Sequence, residues 1–160
     1  MLIYVIYRSN SLWKNNQSQG ILDDLSKLYH WGTLKYSKTG KPMVDNGYIS
    51  VSHSKNLLVV AHHIHEIGID CEYIRPLSNV LIEKLHLDSI HPLLDWCKRE
   101  SVIKLLDDKT YLLKKELNDI FFEEITFNPD FCIVLSSKSK IESYEIIHLD
   151  ESLNIIEPIQ

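Results

Sequence analysis

The apolar run Leu57-Leu58-Val59-Val60-Ala61 constrains this chain most. Its length and β-branched content suit a buried strand. A second short run, Glu66 to Glu72, follows it and ends in Gly68-Ile69-Asp70-Cys71-Glu72. In an extended chain, residues two apart point to the same face. Asp70 and Glu72 then aim two carboxylates at one spot, while Ile69, Cys71 and Tyr73 turn the other way. Paired carboxylates raise each other's pKa unless a positive charge sits between them. A hard divalent cation such as Mg2+ resolves that conflict, because it prefers oxygen ligands. An edge strand with a solvated acidic face is the other reading of the same pair.

With 160 residues the chain is the size of one ordinary domain and can bury a real core. No apolar run approaches the length needed to cross a bilayer, so no membrane partner is expected. Met1 to Tyr7 lacks the basic region and small-residue cleavage site of a secretory signal and reads as a first strand. The cysteines, Cys71, Cys97 and Cys132, are scattered and odd in number, which points to a reducing, cytoplasmic setting. A net charge of −5 argues against general nucleic-acid binding.

Along the chain, Arg8 to Gln19 is polar and reads as a loop. Ile21, Leu22, Leu25, Leu28 and Tyr29 fall at helical spacing, giving an amphipathic helix over about 18–30. Gly40 is a turn signal, and Pro42 holds Lys41 extended. Asp45-Asn46-Gly47 is a hairpin-type turn, and residues 48–54 then alternate as a strand. With a tight turn at Lys55-Asn56, residues 48–73 form a three-stranded antiparallel meander. Helices are expected over about 78–87, capped by Ser78 or Asn79, and over about 92–106, with Pro92 in its first turn. Strands follow near 118–125 and 131–135, and Ile141 to Leu149 pairs back as a hairpin. The expected class is α+β, with two similar lobes, about 1–73 and 74–160, packed side by side in one domain.

Several residues could carry chemistry. Glu100 and Lys104 lie one helical turn apart, with Trp96 on the same stripe. A surface ion pair beneath a buried Trp would look the same. Ser52-His53-Ser54 at a strand end could be a ligand contact or a turn histidine, and Lys41 could simply be solvated. His62-His63-Ile64-His65 has the look of a metal site, but only His63 and His65 share a strand face.

These pieces occur together and in order. Gly40-Lys41-Pro42, then Ile49-Ser50-Val51-Ser52-His53-Ser54, then Gly68-Ile69-Asp70-Cys71-Glu72, then Trp96-Cys97-Lys98-Arg99-Glu100-Ser101-Val102-Ile103-Lys104 resembles the 4′-phosphopantetheinyl transferase superfamily. The resemblance spans residues 40–104 and is to the larger, pseudo-dimeric branch acting on synthase carrier proteins. It implies transfer of the phosphopantetheine arm of coenzyme A to a serine of an apo acyl or peptidyl carrier protein, releasing adenosine 3′,5′-bisphosphate. It implies Mg2+ on Asp70, Glu72 and Glu100, with Glu100 also taking the serine proton. It further implies that Lys104 sits by the phosphates, and that Lys41, Ser52 and His53 contact coenzyme A. Metal coordination of this kind neutralises charge on transferring and leaving oxygens.

The chain departs from the family's pattern at Arg99, where Lys is usual, and at Lys55, where a small residue is common. Its first helix carries a single basic residue, Lys27, with Lys35 and Lys38 as nearby substitutes for holding the nucleotide 3′-phosphate. Two other readings stand beside transfer. One is a degenerate relative that binds coenzyme A or a carrier without turnover. The other is a Mg2+-dependent phosphohydrolase on an unrelated fold, which leaves Lys41, Ser52 and His53 without a role.

Overall fold

A computed structural model describes residues 1–9, 11–14, 17–114 and 116–157. The elements run β1 (Leu2–Tyr7), α1 (Gln17–Leu28), β2 (Lys35–Tyr36), β3 (Pro42–Met43), β4 (Tyr48–Ser54), β5 (Leu57–His63), β6 (Ile67–Tyr73), α2 (Asn79–Leu85), α3 (Pro92–Leu106), a 3₁₀ turn (Lys109–Leu113), β7 (Phe121–Glu124), β8 (Phe131–Ser137) and β9 (Glu145–Leu149). The class is mixed α+β, as expected. Among the described residues, no helix is long and apolar enough to cross a membrane.

Two principal sheets carry the fold, one in the order β4-β5-β1-β9 and one in the order β6-β8-β7. The run Leu57 to Ala61 lies in β5, flanked on both edges by β4 and β1 and buried along its whole length. Alternate residues feed two cores. Leu57, Val59 and Ala61 join Ile3, Val5, Ile69, Cys71, Ile133 and Leu135 between the sheets. Leu58 and Val60 join Tyr4, Ile6, Ile49 and the α1 residues Leu22 and Leu25 on the other side. A strand with apolar residues on both faces suits this central position.

Two expected pairings are corrected by this layout. The meander over 48–73 stops after two strands, because β5 has no free edge; β6 crosses to the second sheet and pairs antiparallel with β8. Likewise the segment from Ile141 does not fold back on β8, whose edges are taken by β6 and β7. It instead lays β9 parallel to β1, where Ile146 and Ile147 can supply opposite cores. The helix expected over 18–30 ends at Leu28, the one expected over 78–87 ends at Leu85, and Pro92 opens α3 as expected. Ser78 caps α2 by accepting from the Leu81 N–H at 3.3 Å.

The second sheet meets α3 almost backbone to backbone. A Cβ on Gly68 would stand 1.9 Å from the Ser101 carbonyl oxygen and 2.7 Å from the Leu105 amide nitrogen. Glycine is therefore a packing requirement here. Arg99 locks the same helix from its other side. Its guanidinium is buried, and all five N–H donors are used: on both Asp95 carboxylate oxygens at 3.1 and 2.8 Å, and on the Leu85, His86 and Leu112 carbonyls at 2.7, 3.0 and 2.9 Å. Three of these acceptors terminate α2 or lie in the 3₁₀ turn. A lysine offers three donors from a single point and could not span them, which gives Arg99 a structural role at the position where the resemblance has Lys.

Gly68→Ala is expected to destabilise the fold by about 3 kcal/mol or more, since the blocking atoms are backbone and cannot turn aside. Urea unfolding followed by circular dichroism checks this; a loss under about 1 kcal/mol would mean that α3 is free to move off the strand.

Candidate active site

On β6, strand alternation puts Gly68, Asp70 and Glu72 on the side facing α3, while Ile69 and Cys71 are in the core between the sheets. The missing side chain at Gly68 lets α3 come close enough for its own residues to reach the acids. Lys104 Nζ donates to Asp70 Oδ1 at 2.7 Å, and the Asp70 side chain is only 5% exposed. Ser52 on β4 donates its hydroxyl to the same oxygen at 3.0 Å. Asp70 Oδ2 is buried and accepts no hydrogen bond. An unsatisfied, buried carboxylate oxygen is costly to leave without a partner.

Glu72 and Glu100 complete the cluster. Glu72 is approached by Arg75 Nη2 at 3.5 Å. Burial pushes its carboxyl above the ordinary glutamate range, and the Asp70 charge pushes the same way. Glu100 is likewise raised by burial first, then by Asp70 and Glu72, with Lys104 and Lys109 opposing. The buried indole N–H of Trp96 makes no hydrogen bond, although Glu72 is near enough to feel it. His53 is held below the ordinary histidine range by burial and then by Lys104, which favours its neutral form.

Lys41 reaches the same region from the loop before β3. Its Nζ donates to the Leu105 carbonyl at 2.7 Å, near the C-terminal end of α3, where unsatisfied carbonyls favour a cation. Burial lowers its pKa. The loop itself is tied to α3 by Ser37 and Thr39, whose hydroxyls donate to Asp107. Between loop and helix lies a cavity of about 210 Å3 lined by Lys41, Lys104 and Lys109 together with Pro42, Val51 and Ile103. A larger cleft of about 740 Å3 runs past α2 and α3 along Glu83, His86, His91 and Lys98, and contains none of Asp70, Glu72 and Glu100.

The structure thus gathers Asp70, Glu72, Glu100, Lys104, His53 and Ser52 into one electrostatically coupled group, with Lys41 at its margin. Three features were not read from the sequence. Lys109 lines the cavity, Arg75 faces Glu72, and the serines at 50 and 54 flank Ser52 on the same face of β4. The last was legible as a period-two serine pattern opposite Gly-x-Asp-x-Glu. The histidine run separates: His62 stacks on Trp31 with ring centroids 4.7 Å apart, whereas His63 accepts from the His65 amide at 3.1 Å. Lys27 and Lys35 are paired with Asp23 and Asp45. The cysteines are free, and Cys97 Sγ lies 3.8 Å from the Cys132 carbonyl oxygen.

Among the described residues, no group of three or more His, Cys, Asp or Glu side chains is drawn close enough to hold a metal ion. The donor set nevertheless suits a hard cation. It offers carboxylate oxygens only, one of them buried and unpartnered, and two carboxyls raised by burial and then by the Asp70 charge. No known protein family matches the chain, and no curated protein matches it in sequence.

Because Glu72 and Glu100 are raised in the folded protein, the native state holds more protons than the unfolded chain above their ordinary value of 4.5. Stability of the metal-free protein should therefore fall as pH rises from that value through the raised pKa values. Glu100→Gln should flatten this fall and raise the urea midpoint at pH 7 in chelator. An unchanged pH slope in the variant would show that neither burial nor the neighbouring acids raise the Glu100 carboxyl in the folded protein.

Proposed function

We propose that the chain is a Mg2+-dependent 4′-phosphopantetheinyl transferase that modifies a serine of an apo acyl or peptidyl carrier protein. The observation that carries this reading is the convergence on Asp70 of Lys104 and Ser52 from two other elements, with Glu72 and Glu100 near enough to interact by charge and Oδ2 buried without a hydrogen-bond partner. The lysine-lined cavity beside it supports coenzyme A as donor, since Lys41, Lys104 and Lys109 suit phosphates and the apolar wall suits the rest of the molecule. In this reading the two sheets, with α1 on one and α3 on the other, stand for the two lobes of the pseudo-dimeric branch, but the expected division at 73/74 does not separate them, since β6 belongs to the second sheet and β9 to the first.

Asp70, Glu72 and Glu100 would hold Mg2+, which when bound neutralises charge on the pyrophosphate oxygens. Lys41 and Lys104 bind and orient the phosphates, and His53 joins them from β4. Glu100 accepts the proton of the carrier serine, whose oxygen forms the new bond to phosphorus as the anhydride bond breaks. Adenosine 3′,5′-bisphosphate leaves with the electron pair. A carboxyl raised toward the working pH is a better general base than an ordinary one.

One observation favours a second reading. The Lys104–Asp70 pair already neutralises the most buried acid without a metal. A binding-only relative, holding coenzyme A or a carrier protein without turnover, would need nothing more.

Incubation with coenzyme A, Mg2+ and apo carrier proteins, followed by intact mass measurement, separates the two. Transfer predicts a phosphopantetheine mass gain on the carrier. Glu100→Gln should slow it by about 10²–10⁴-fold, the usual worth of a general base, without loss of coenzyme A binding. Lys41→Ala should act mainly on KM, because it meets phosphates in ground and transition states alike. Bound coenzyme A with no mass gain on any carrier would favour the binding-only reading.

A further inference from the structure

The two sheets meet at the edge strands β4 and β6 without a backbone ladder between them. Serine hydroxyls make the junction. Ser50 Oγ accepts from the Ile69 N–H at 2.9 Å, Ser52 Oγ from the Cys71 N–H at 3.1 Å, and Ser54 Oγ from the Tyr73 N–H at 2.9 Å. Each serine thus replaces a carbonyl that a neighbouring strand would have supplied. Because both strands alternate with period two, successive rungs fall opposite Gly68, Asp70 and Glu72.

A serine hydroxyl has one hydrogen to give and two lone pairs to offer. Once its oxygen accepts from β6, the hydrogen is aimed at whatever stands beside that amide. At the first rung this is Gly68, which has no side chain. At the second, the Ser52 hydrogen goes to Asp70 Oδ1 at 3.0 Å. At the third, Ser54 approaches Glu72 Oε2 at 3.5 Å, a longer and weaker contact. Lys104 donates to the same Asp70 oxygen that Ser52 uses. Two donors from two elements, β4 and α3, on one oxygen fix the carboxylate and leave Oδ2 buried without a hydrogen-bond partner.

We infer that Ser52 is a positioning residue that presents Asp70 Oδ2 to a divalent cation, with Ser54 doing the same more weakly for Glu72. This rests on the transferase reading for the identity of the cation, but not for the aiming of Asp70. It also gives Ser52 a different task from contact with coenzyme A phosphates, since its only hydrogen is already engaged.

The test uses the full chain and Mn2+ as a spectroscopic probe in place of Mg2+. Mn2+ affinity is measured by electron paramagnetic resonance, coenzyme A affinity in chelator by calorimetry, and the Asp70 side-chain rotamer by three-bond carbon couplings. Ser52→Ala should weaken Mn2+ by about tenfold, the low end for losing a hydrogen bond to a charged group, while coenzyme A affinity in chelator stays within about twofold. Ser52→Thr, which keeps the hydroxyl, should recover most of the Mn2+ affinity. Asp70 should hold one rotamer in the wild type and average over two in Ser52→Ala.

Weakened coenzyme A binding with unchanged Mn2+ affinity would overturn the inference and make Ser52 a ligand contact. Unchanged Mn2+ affinity together with an unchanged Asp70 rotamer would overturn it as well. If wild-type protein binds no Mn2+, the metal part of the transferase reading fails by itself. The rotamer then decides the rest: averaging in Ser52→Ala upholds the aiming role, and a single rotamer overturns it. Should Ser52→Ala not fold, Ser54→Ala at the half-buried rung applies the same criteria to Glu72.

Discussion

The contact on which the site depends is the approach of α3 to β6 at Gly68. Helices usually stand off a sheet by the thickness of side chains. Here the Ser101 carbonyl occupies the volume of an absent Cβ. That closeness lets Lys104, a turn further on, reach an acid two residues along the strand. Arg99 holds the helix down on its opposite flank by collecting the carbonyl ends of α2 and the 3₁₀ turn. The helix is therefore clamped between a glycine it cannot leave and an arginine it cannot turn away from.

Clamping has an electrostatic consequence. Three carboxyls are gathered where burial disfavours charge, with Lys104 the one cation hydrogen-bonded to Asp70 among the described residues. A buried ion pair is weak evidence for stability, because desolvation offsets most of its Coulomb gain. Its retention, along with an unpartnered oxygen on the same carboxylate, is better explained by what the pair can bind than by what it holds together. The β4 serines add a directional element that charge alone lacks, since a hydroxyl fixes orientation while a lysine supplies mainly a point charge.

Much of this was legible in the sequence. Period-two spacing placed Asp70 and Glu72 on one face and Ile69 and Cys71 on the other, and period-3.6 spacing set Glu100 and Lys104 a turn apart. The bounds of β4 and α3 followed from turn residues and Pro92, and so did the places of β5 and β6, although β5 ends at His63 and β6 runs one residue later than read, over Ile67–Tyr73. Partner choice was not legible. That β6 leaves β5 for β8, and that β9 runs parallel to β1, depends on which edges are already occupied, a property of the whole fold. The role of Gly68 was hidden for the same reason, because a glycine before an acidic pair looks like punctuation until the helix above it is known. Arg99 read as a departure, whereas three of its five acceptors, the Leu85, His86 and Leu112 carbonyls, come from segments outside its own helix.

The most direct measurement is diffraction from crystals grown with coenzyme A and Mn2+, using the anomalous signal of manganese to locate the ion. A transfer site predicts one manganese peak against Asp70 Oδ2, with Glu100 or Glu72 turned toward it, Ser52 still on Oδ1, and the pyrophosphate on the opposite side of the ion. Coenzyme A bound with Lys104 still closed on Asp70 and no manganese among Asp70, Glu72 and Glu100 would contradict it.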